Sequence, residues 1–539
     1  MTSGRRPIDR RVFLTGLVAA AGVACTRTAG GAPGTSAATG SAPPATGGLP
    51  GSLILPTDPE VAAAEARRAG PGAAVRSTDV RALVGPVALG GRTVETWRYG
   101  RAPESGQAGR APESGQAGRA PESGGGDDGV PGPLLRATAG DVLQVRLAND
   151  LPEDTTIHWH GLALRNDMDG VHHLTQDPIR AGDPFTYRFA VPTPGTYWYH
   201  SHHGLQADRG LYGPLVIDDP AEPGAYDVEH VIVLDDWIDG VGGTPHDVAD
   251  ALMCHDGCRA PSPLLARFRS PALGGDAGDI AYPLHLLNGR PIDDAPTLAA
   301  PPGGRARLRI INAAAETAYR VGWPGLSAVV THSDGYPVAP VPTDGLLIAM
   351  GERYDVVVTV PSGAWPLIAE AEGKDARCGA VLRTPDAVTT AVDLAGAPRP
   401  DDAALLTYDR LRATDGVRLP FDRPDVEHVI TLTGRAANYH WGIEGLPYPD
   451  NAPIVVHPDE RVRLVIQNTT NMWHPIHLHG HTFRLGGSPD GPRKDTVIVK
   501  PGESPVFDVV CDNPGRWMLH CHNAYHLEAG MAIGVDYHR

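Results

Sequence analysis

The segment Gly515–Met531 reads GRWMLHCHNAYHLEAGM and places His520, Cys521, His522, His526 and Met531 within one strand and the turn after it. Strand side chains alternate between faces. His520 and His522 therefore point one way and Cys521 the other. A thiolate, an imidazole and a distant thioether belong to the donor set of an electron-transfer copper, which takes one Cys, two His and a weak axial Met. One imidazole is missing from this segment. The two histidines on the opposite face imply a second metal centre, bonded to the first through the Cys521 backbone.

The remainder of the chain supplies further donors. Trp473–His481 is WHPIHLHGH and carries His474, His477 and His479. IHWHG carries His158 and His160, and YHSH carries His200 and His202. A single His-x-His pair on a strand is as often structural as functional. Four such pairs, together with His474, Cys521, His526 and Met531, describe a metal protein.

These four segments resemble the four copper motifs of the multicopper oxidases, the family of laccases, ascorbate oxidase and bacterial copper oxidases. The resemblance runs from about Val75 to the C-terminus. It implies one-electron oxidation of a donor at a mononuclear copper and four-electron reduction of O2 to water at a trinuclear cluster, four copper ions in all. By motif position, His474, Cys521, His526 and Met531 would hold the mononuclear copper. His158 and His477 would hold the single copper of the cluster. His160, His200, His202, His479, His520 and His522 would hold the coupled pair. The resemblance also implies that Asp169, which follows the first pair, delivers protons to reduced oxygen. Several bacterial relatives carry an acid directly after the second mononuclear His. Here that residue is Leu527, with Glu528 one later, as in a laccase-type ending. His172, His173, His203 and His481 fall near the motifs and are read as flanking or surface residues, because the ligand set is already complete.

An internal repeat organises these motifs. Asp141–Asn149 (DVLQVRLAN) alternates apolar and polar residues, and His158 follows Asn149 by nine positions. Glu460–Asn468 (ERVRLVIQN) alternates alike, and His477 follows Asn468 by nine. Ala306–Asn312 is a third copy, with Val321 and Trp323 where the others have His-x-His. In a second repeat, Gly195–Leu211 aligns without gaps on Gly515–Met531. Ser201 then falls on Cys521, Gln206 on His526 and Leu211 on Met531, while Thr155 falls on His474. Electron entry is thus expected only in the last copy, with the cluster where the first and last copies meet. Period-two strands separated by turn residues predict antiparallel Greek-key sandwiches. The fold class is all-β, with three cupredoxin-like domains at 75–222, 223–400 and 421–539. Asp401–Pro420 is expected as a surface connector, and Asn288-Gly289 as a tight hairpin turn.

Outside the repeats, Arg10-Arg11 followed by an apolar run to Ala24 reads as a twin-arginine export signal, too short for a permanent anchor. The translocon of that pathway is then a transient partner, and the product is secreted, periplasmic or at the cell surface. Cys25 stands where a lipoprotein cysteine would, without the usual Leu three residues earlier. Residues 25–74 are expected as a disordered tether and lead-in, rich in Gly, Ala, Pro, Ser and Thr at their start. Gly100–Gly126 repeats GRAPESGQA and is read as a surface insertion without core residues. A net charge of −17 argues against nucleic acid as a partner. Cys254 and Cys258 are expected as a disulfide. Cys378 and Cys511 could pair or stay free.

The electron donor is read first as a phenol or aromatic amine docking near the edge of His474 or His526. Cu(I), oxidised for copper tolerance, is the alternative donor. A non-catalytic cupredoxin-fold envelope protein is the alternative of another class. The seven methionines do not cluster, so no Met-rich Cu(I)-collecting segment is expected.

Overall fold

The computed structural model describes residues 51–539, apart from 71, 102–128, 223–225, 255–261, 389–390 and 437–438. The export signal, Cys25, Cys258 and nearly all of the Gly100–Gly126 repeat lie outside the described residues.

Alternation along the repeated strands decides which side faces the core. In Asp141–Asn149, Leu143, Val145 and Leu147 are buried while Gln144 and Arg146 are turned outward; Val462, Leu464 and Ile466 are the buried set of Arg461–Asn468. Each repeat builds two sheets. The first has one sheet in the order Arg92–Arg101, Val75–Leu89, Asp141–Asn149, Pro184–Val191, and another in the order Leu135–Thr138, Tyr212–Asp218, Gly195–His200, His158–His160. The middle and last repeats follow the same plan with five- or six-stranded sheets.

The sheets are mixed, not antiparallel throughout as the sequence predicts. Val75–Leu89 runs parallel to Asp141–Asn149, Val228–Trp237 to Gly304–Asn312, and Val426–Arg435 to Arg461–Asn468. In each repeat the chain crosses to the second sheet for one short strand (Leu135–Thr138, Thr297–Ala299 or Ile454–Val456) before returning. A strand re-entering its sheet by such a crossover arrives parallel to its partner.

The asparagine ending each repeated strand has one structural job in all three. Its amide donates two hydrogen bonds and its oxygen accepts one from the chain two residues on. For Asn149 these join Glu153 O, Ile179 O and Leu151 N at 2.9, 2.9 and 3.1 Å. For Asn468 they join Met472 O, Val499 O and Thr470 N at 2.8, 2.9 and 2.9 Å. Asn312 does the same with Thr317, Ile348 and Ala314. This fixes the loop between the strand and the His-x-His position, which explains the constant spacing.

Asn288-Gly289 forms the expected tight turn, with φ of 51° and 74° at its two residues. A Cβ on Gly289 would lie 1.8 Å from Val130 O, so glycine is required twice over.

Two segments are more ordered than their composition predicts. Within the lead-in, Pro59–Arg68 is a helix with Val61 and Ala64 buried. Ile54 is fully buried and donates to Tyr537 O at 2.7 Å, while Arg539 pairs with Asp58 and Glu60, so the lead-in is tied to the C-terminal strand. The connector adds Leu405–Leu406 as a parallel edge strand beside Gly345–Ile348 and buries Leu411. Cys254 is disulfide-bonded. Cys378 and Cys511 are free, buried thiols.

Candidate metal centre

The strand Arg516–Cys521 lies beside His474–Leu478, with Ile476 opposite Cys521 and His477 opposite His520. Asn523 ends the first of these strands. Its side chain accepts hydrogen bonds from the Tyr525 and His526 amides and starts the short helix Ala524–Glu528. That helix folds His526 back over Cys521. Cys521 Sγ lies 3.6 Å from His474 Nδ1 and 3.5 Å from His526 Nδ1, and the two nitrogens are 3.1 Å apart. A triangle of this size has its centre about 2 Å from each corner, the bond length of imidazole and thiolate to first-row metal ions. His474, Cys521, His526 and Met531 are all fully buried. Backbone bonds from Cys521 N to Met531 O (3.0 Å) and from Met531 N to His526 O (2.9 Å) hold the methionine against this cage.

On the other face of the strand, His158 and His160 of the first domain meet His477 and His479 of the third. His158 stacks on His479 and His160 on His477, each at 3.8 Å between ring centroids. His200 and His202 close one side and His520 and His522 the other; His479 Nε2 is 3.0 Å from His520 Nε2. The eight histidines the sequence singles out thus converge where the first and third domains meet. Asn166 locks that junction, accepting from Arg516 N at 3.0 Å and donating to Arg516 O at 2.5 Å.

The imidazole nitrogens divide into two sets. The outer set is tied to protein. His158 Nδ1 donates to Asp169 O, His200 Nδ1 to Ser201 O and His520 Nδ1 to Cys521 O, each at 2.9 Å, and His477 Nδ1 donates to Asp495 O at 3.0 Å. The inner set includes His158 Nε2, His160 Nδ1, His200 Nε2, His202 Nε2, His477 Nε2 and His522 Nε2, all buried without a protein partner. Orphaned buried polar atoms are costly. Six of them aimed into one space fit a metal cluster. Burial, then the charge of neighbouring imidazoles, holds His200, His202, His479 and His522 well below the usual histidine range. The neutral form is the one that binds metal. Burial alone pushes His474 down to about 3 and the Cys521 thiol upward, so metal binding at the cage must displace a proton from sulfur.

Asp169 is fully buried. Its Oδ2 accepts from His479 Nδ1 at 2.9 Å, and its Oδ1 is 3.2 Å from His158 Nδ1. Of the histidines read as flanking, His481 donates to His479 O at 3.0 Å and His172 to His202 O at 2.9 Å.

A second buried acid, Asp495, lies outside the residues that the sequence singles out. It accepts from His160 Nε2 at 3.2 Å and is clamped by Arg353 of the middle domain through two 2.7 Å bonds. Arg353 keeps its carboxylate well below the usual range. Among the described residues the middle domain offers no side chain to these histidine clusters, yet it walls them. A Cβ on Gly351 would approach His160 and His522 to 2.8 and 3.0 Å. Neither Asp495 nor Arg353 stands in a distinctive motif.

Three family models, each described as multicopper oxidase, match residues 117–222, 272–391 and 421–538. The chain is 48% identical over 422 residues to Multicopper oxidase MmcO of Mycobacterium tuberculosis, covering 76% of this chain and 82% of that protein. The chain belongs to the multicopper oxidases. It is 31% identical to a Copper resistance protein A homolog of Pseudomonas syringae pv. tomato, covering 75% of this chain and 87% of that protein. A laccase structure from Botrytis aclada superposes with a TM-score of 0.67 at 25% identity, covering 86% of this chain and 88% of that one. The protein is accordingly an oxidoreductase that uses copper, an electron donor and O2.

Access to the cage of His474, Cys521 and His526 differs from the sequence expectation. Neither His474 nor His526 has an exposed edge at which a donor could dock. Trp441 lies over both, 4.4 Å from the His526 ring and 5.2 Å from the His474 ring, and Tyr439 is 5.8 Å from His526. The sequence does not reveal the burial of His474 and His526, because Trp441 and Tyr439 come from a strand and turn remote from every copper motif.

Proposed function

We propose that His474, Cys521, His526 and Met531 hold the mononuclear copper, and that the eight paired histidines hold the cluster, with His158 and His477 on its single copper. The observation that carries this is the set of inward, unpartnered imidazole nitrogens one residue away from the thiolate cage. When bound, copper supplies one-electron exchange at the cage and four-electron reduction of O2 at the cluster. The protein's part is to connect, orient and exclude water. Two peptide units join Cys521 to His520 and His522, and the 2.9 Å bond from His520 Nδ1 to the Cys521 carbonyl adds a second, shorter connection. Asp169 fixes the tautomer of His479 and is placed to pass protons toward the cluster. Domain limits of 75–222, 223–400 and 421–539 accommodate the three sandwiches, and residues 1–24 act as a twin-arginine export signal.

The donor follows from the roof. Trp441 and Tyr439 keep a bulky phenol off both imidazoles, and three carboxyls, Glu316, Asp279 and Asp276, lie toward Tyr439, of which Glu316 is paired with Lys374 at 2.5 Å. An acidic surround favours a cation. Cu(I) is therefore the preferred donor, in keeping with the copper-resistance relatives, and phenolic donors come second. The test is O2 uptake by fully copper-loaded protein with Cu(I) and with a methoxyphenol. Cu(I) should be turned over at least about tenfold more efficiently, about 1.4 kcal/mol of differential barrier. A faster phenol would reverse the order.

A further inference from the structure

Two acids that touch none of the candidate metal ligands occupy equivalent places in the internal repeat. With Gly195–Leu211 laid on Gly515–Met531, Asp208 falls on Glu528. Gly210 and Gly530, also equivalent, both take positive φ (106° and 103°), so the two turns share a backbone course. The fold brings both acids to the wall of one cavity of about 210 Å³, which also reaches His200, His202, His520 and His522. Glu528 is exposed, whereas Asp208 is 4% exposed.

The two oxygens of Asp208 have different surroundings. Oδ2 accepts from Tyr525 OH at 2.5 Å and Tyr282 OH at 3.2 Å. Oδ1 is buried with no protein partner. A carboxylate serving only to anchor two tyrosines gains nothing from a second, unsolvated oxygen, which costs about 1–3 kcal/mol when left bare. The charged neighbours are unfavourable too. Asp235 and Asp236 face it from Val228–Trp237, and the adjacent Arg209 turns to Asp239 instead. Burial, then Asp236 and Asp235, holds the Asp208 carboxyl well above the usual range.

Reducing one O2 to two waters consumes four protons along with four electrons. Asp169 sits against His158 and His479, whereas the position directly after His526 carries Leu527, which cannot donate a proton. We propose that Asp208 is the proton-delivering residue on the cavity side of the cluster, recharged from solvent past Glu528. Its O–H bond breaks, and the proton passes through cavity water to the oxygen being reduced. A solvent proton entering at Glu528 restores the acid. The electrons are those arriving through Cys521, and no other reactant is needed.

The test compares copper-loaded wild type, Asp208→Asn and Glu528→Gln. Each is reduced chemically and then mixed with O2, so the result does not depend on which donor is physiological. Asparagine still accepts from both tyrosines, so copper content and the blue band should match wild type. Reoxidation of Asp208→Asn should slow at least about tenfold, the low side of general-acid effects. Glu528→Gln should slow it about twofold to fivefold. A second readout needs no turnover: the infrared difference spectrum between wild type and Asp208→Asn at pH 7, with and without copper, should contain a protonated-carboxyl band. The proposal is overturned if that band is missing, if Asp208→Asn reoxidises within about twofold of wild type, or if it loses copper or its blue band, which would make Asp208 an anchor for Tyr525.

Discussion

The first and third domains contain the same pocket filled in two ways. Where the third has His474, Cys521 and His526, the first has Thr155, Ser201 and Gln206, all equally buried. The first-domain side chains satisfy one another. Gln206 Oε1 accepts from Thr155 Oγ1 at 2.7 Å and from Ser201 Oγ at 2.8 Å, and Gln206 Nε2 donates to Asp154 O at 2.7 Å. The third-domain donors face one another across 3.1–3.6 Å, close enough for one metal ion to serve all three. The middle domain differs at another place, with buried Val321 and Trp323 at the positions where the others carry paired histidines of the cluster face. One pocket thus tolerates a self-bonded polar plug or a cage of metal-binding donors, and the filling decides whether the domain does chemistry.

Cys521→Ser is the harshest way to break this comparison, because it installs the residue found at Ser201. It should remove the intense blue band and reduce oxidase activity to background while the cluster coppers remain bound, as counted by metal analysis and electron paramagnetic resonance. Copper-free Cys521→Ser should unfold no earlier than copper-free wild type in calorimetry. A blue, active serine variant would end the assignment of Cys521 as the link between centres.

Asp169→Ala should act next most strongly. Removing a carboxylate that orients a ligating imidazole costs about 10- to 100-fold. In stopped-flow absorbance the mononuclear centre should be reduced at the normal rate and reoxidised that much more slowly. Normal reoxidation would leave Asp169 as a structural tie between His158 and His479.

The contrast between cages also explains which features the sequence displays and which it conceals. The proposed ligands stand in short, rigid motifs because a strand fixes which face each histidine takes. The repeat is visible because Asn149, Asn312 and Asn468 perform one local task at one spacing. By contrast, Asp495 meets Arg353 across 142 residues, and Trp441 reaches His526 from another strand. Such contacts are products of domain packing and leave no local pattern. The parallel pairings are hidden for the same reason, since alternation records which face is buried but not which neighbour a strand chooses. The Pro59–Arg68 helix follows a low-complexity stretch that masks its few apolar residues.

Gln206→Ala probes the first-domain plug. It removes the acceptor shared by the Thr155 and Ser201 hydroxyls, leaving them the 3.3 Å contact with each other, a loss of about 1–3 kcal/mol in denaturant unfolding. The blue band and copper content should not change. A weaker blue band would show that the first-domain pocket communicates with the third-domain cage.

Met531→Leu is the gentlest change and the sharpest reading of the comparison, because Leu211 already occupies the matching place in the first domain. An axial thioether donates weakly to copper and stabilises Cu(II) over Cu(I). Leucine fills the buried space without donating, so the potential of the mononuclear centre should rise by some tens of millivolts, where ~59 mV is tenfold for one electron. Copper content should hold, since three strong donors remain. A moderate wild-type potential suits easily oxidised donors such as Cu(I) or methoxyphenols, and the variant should extend the range toward harder ones. Redox titration of both proteins decides it. An unchanged or lower potential would mean that Met531 only fills the cage, as Leu211 does, and that the donor range is set by Trp441, Tyr439 and the acids around them.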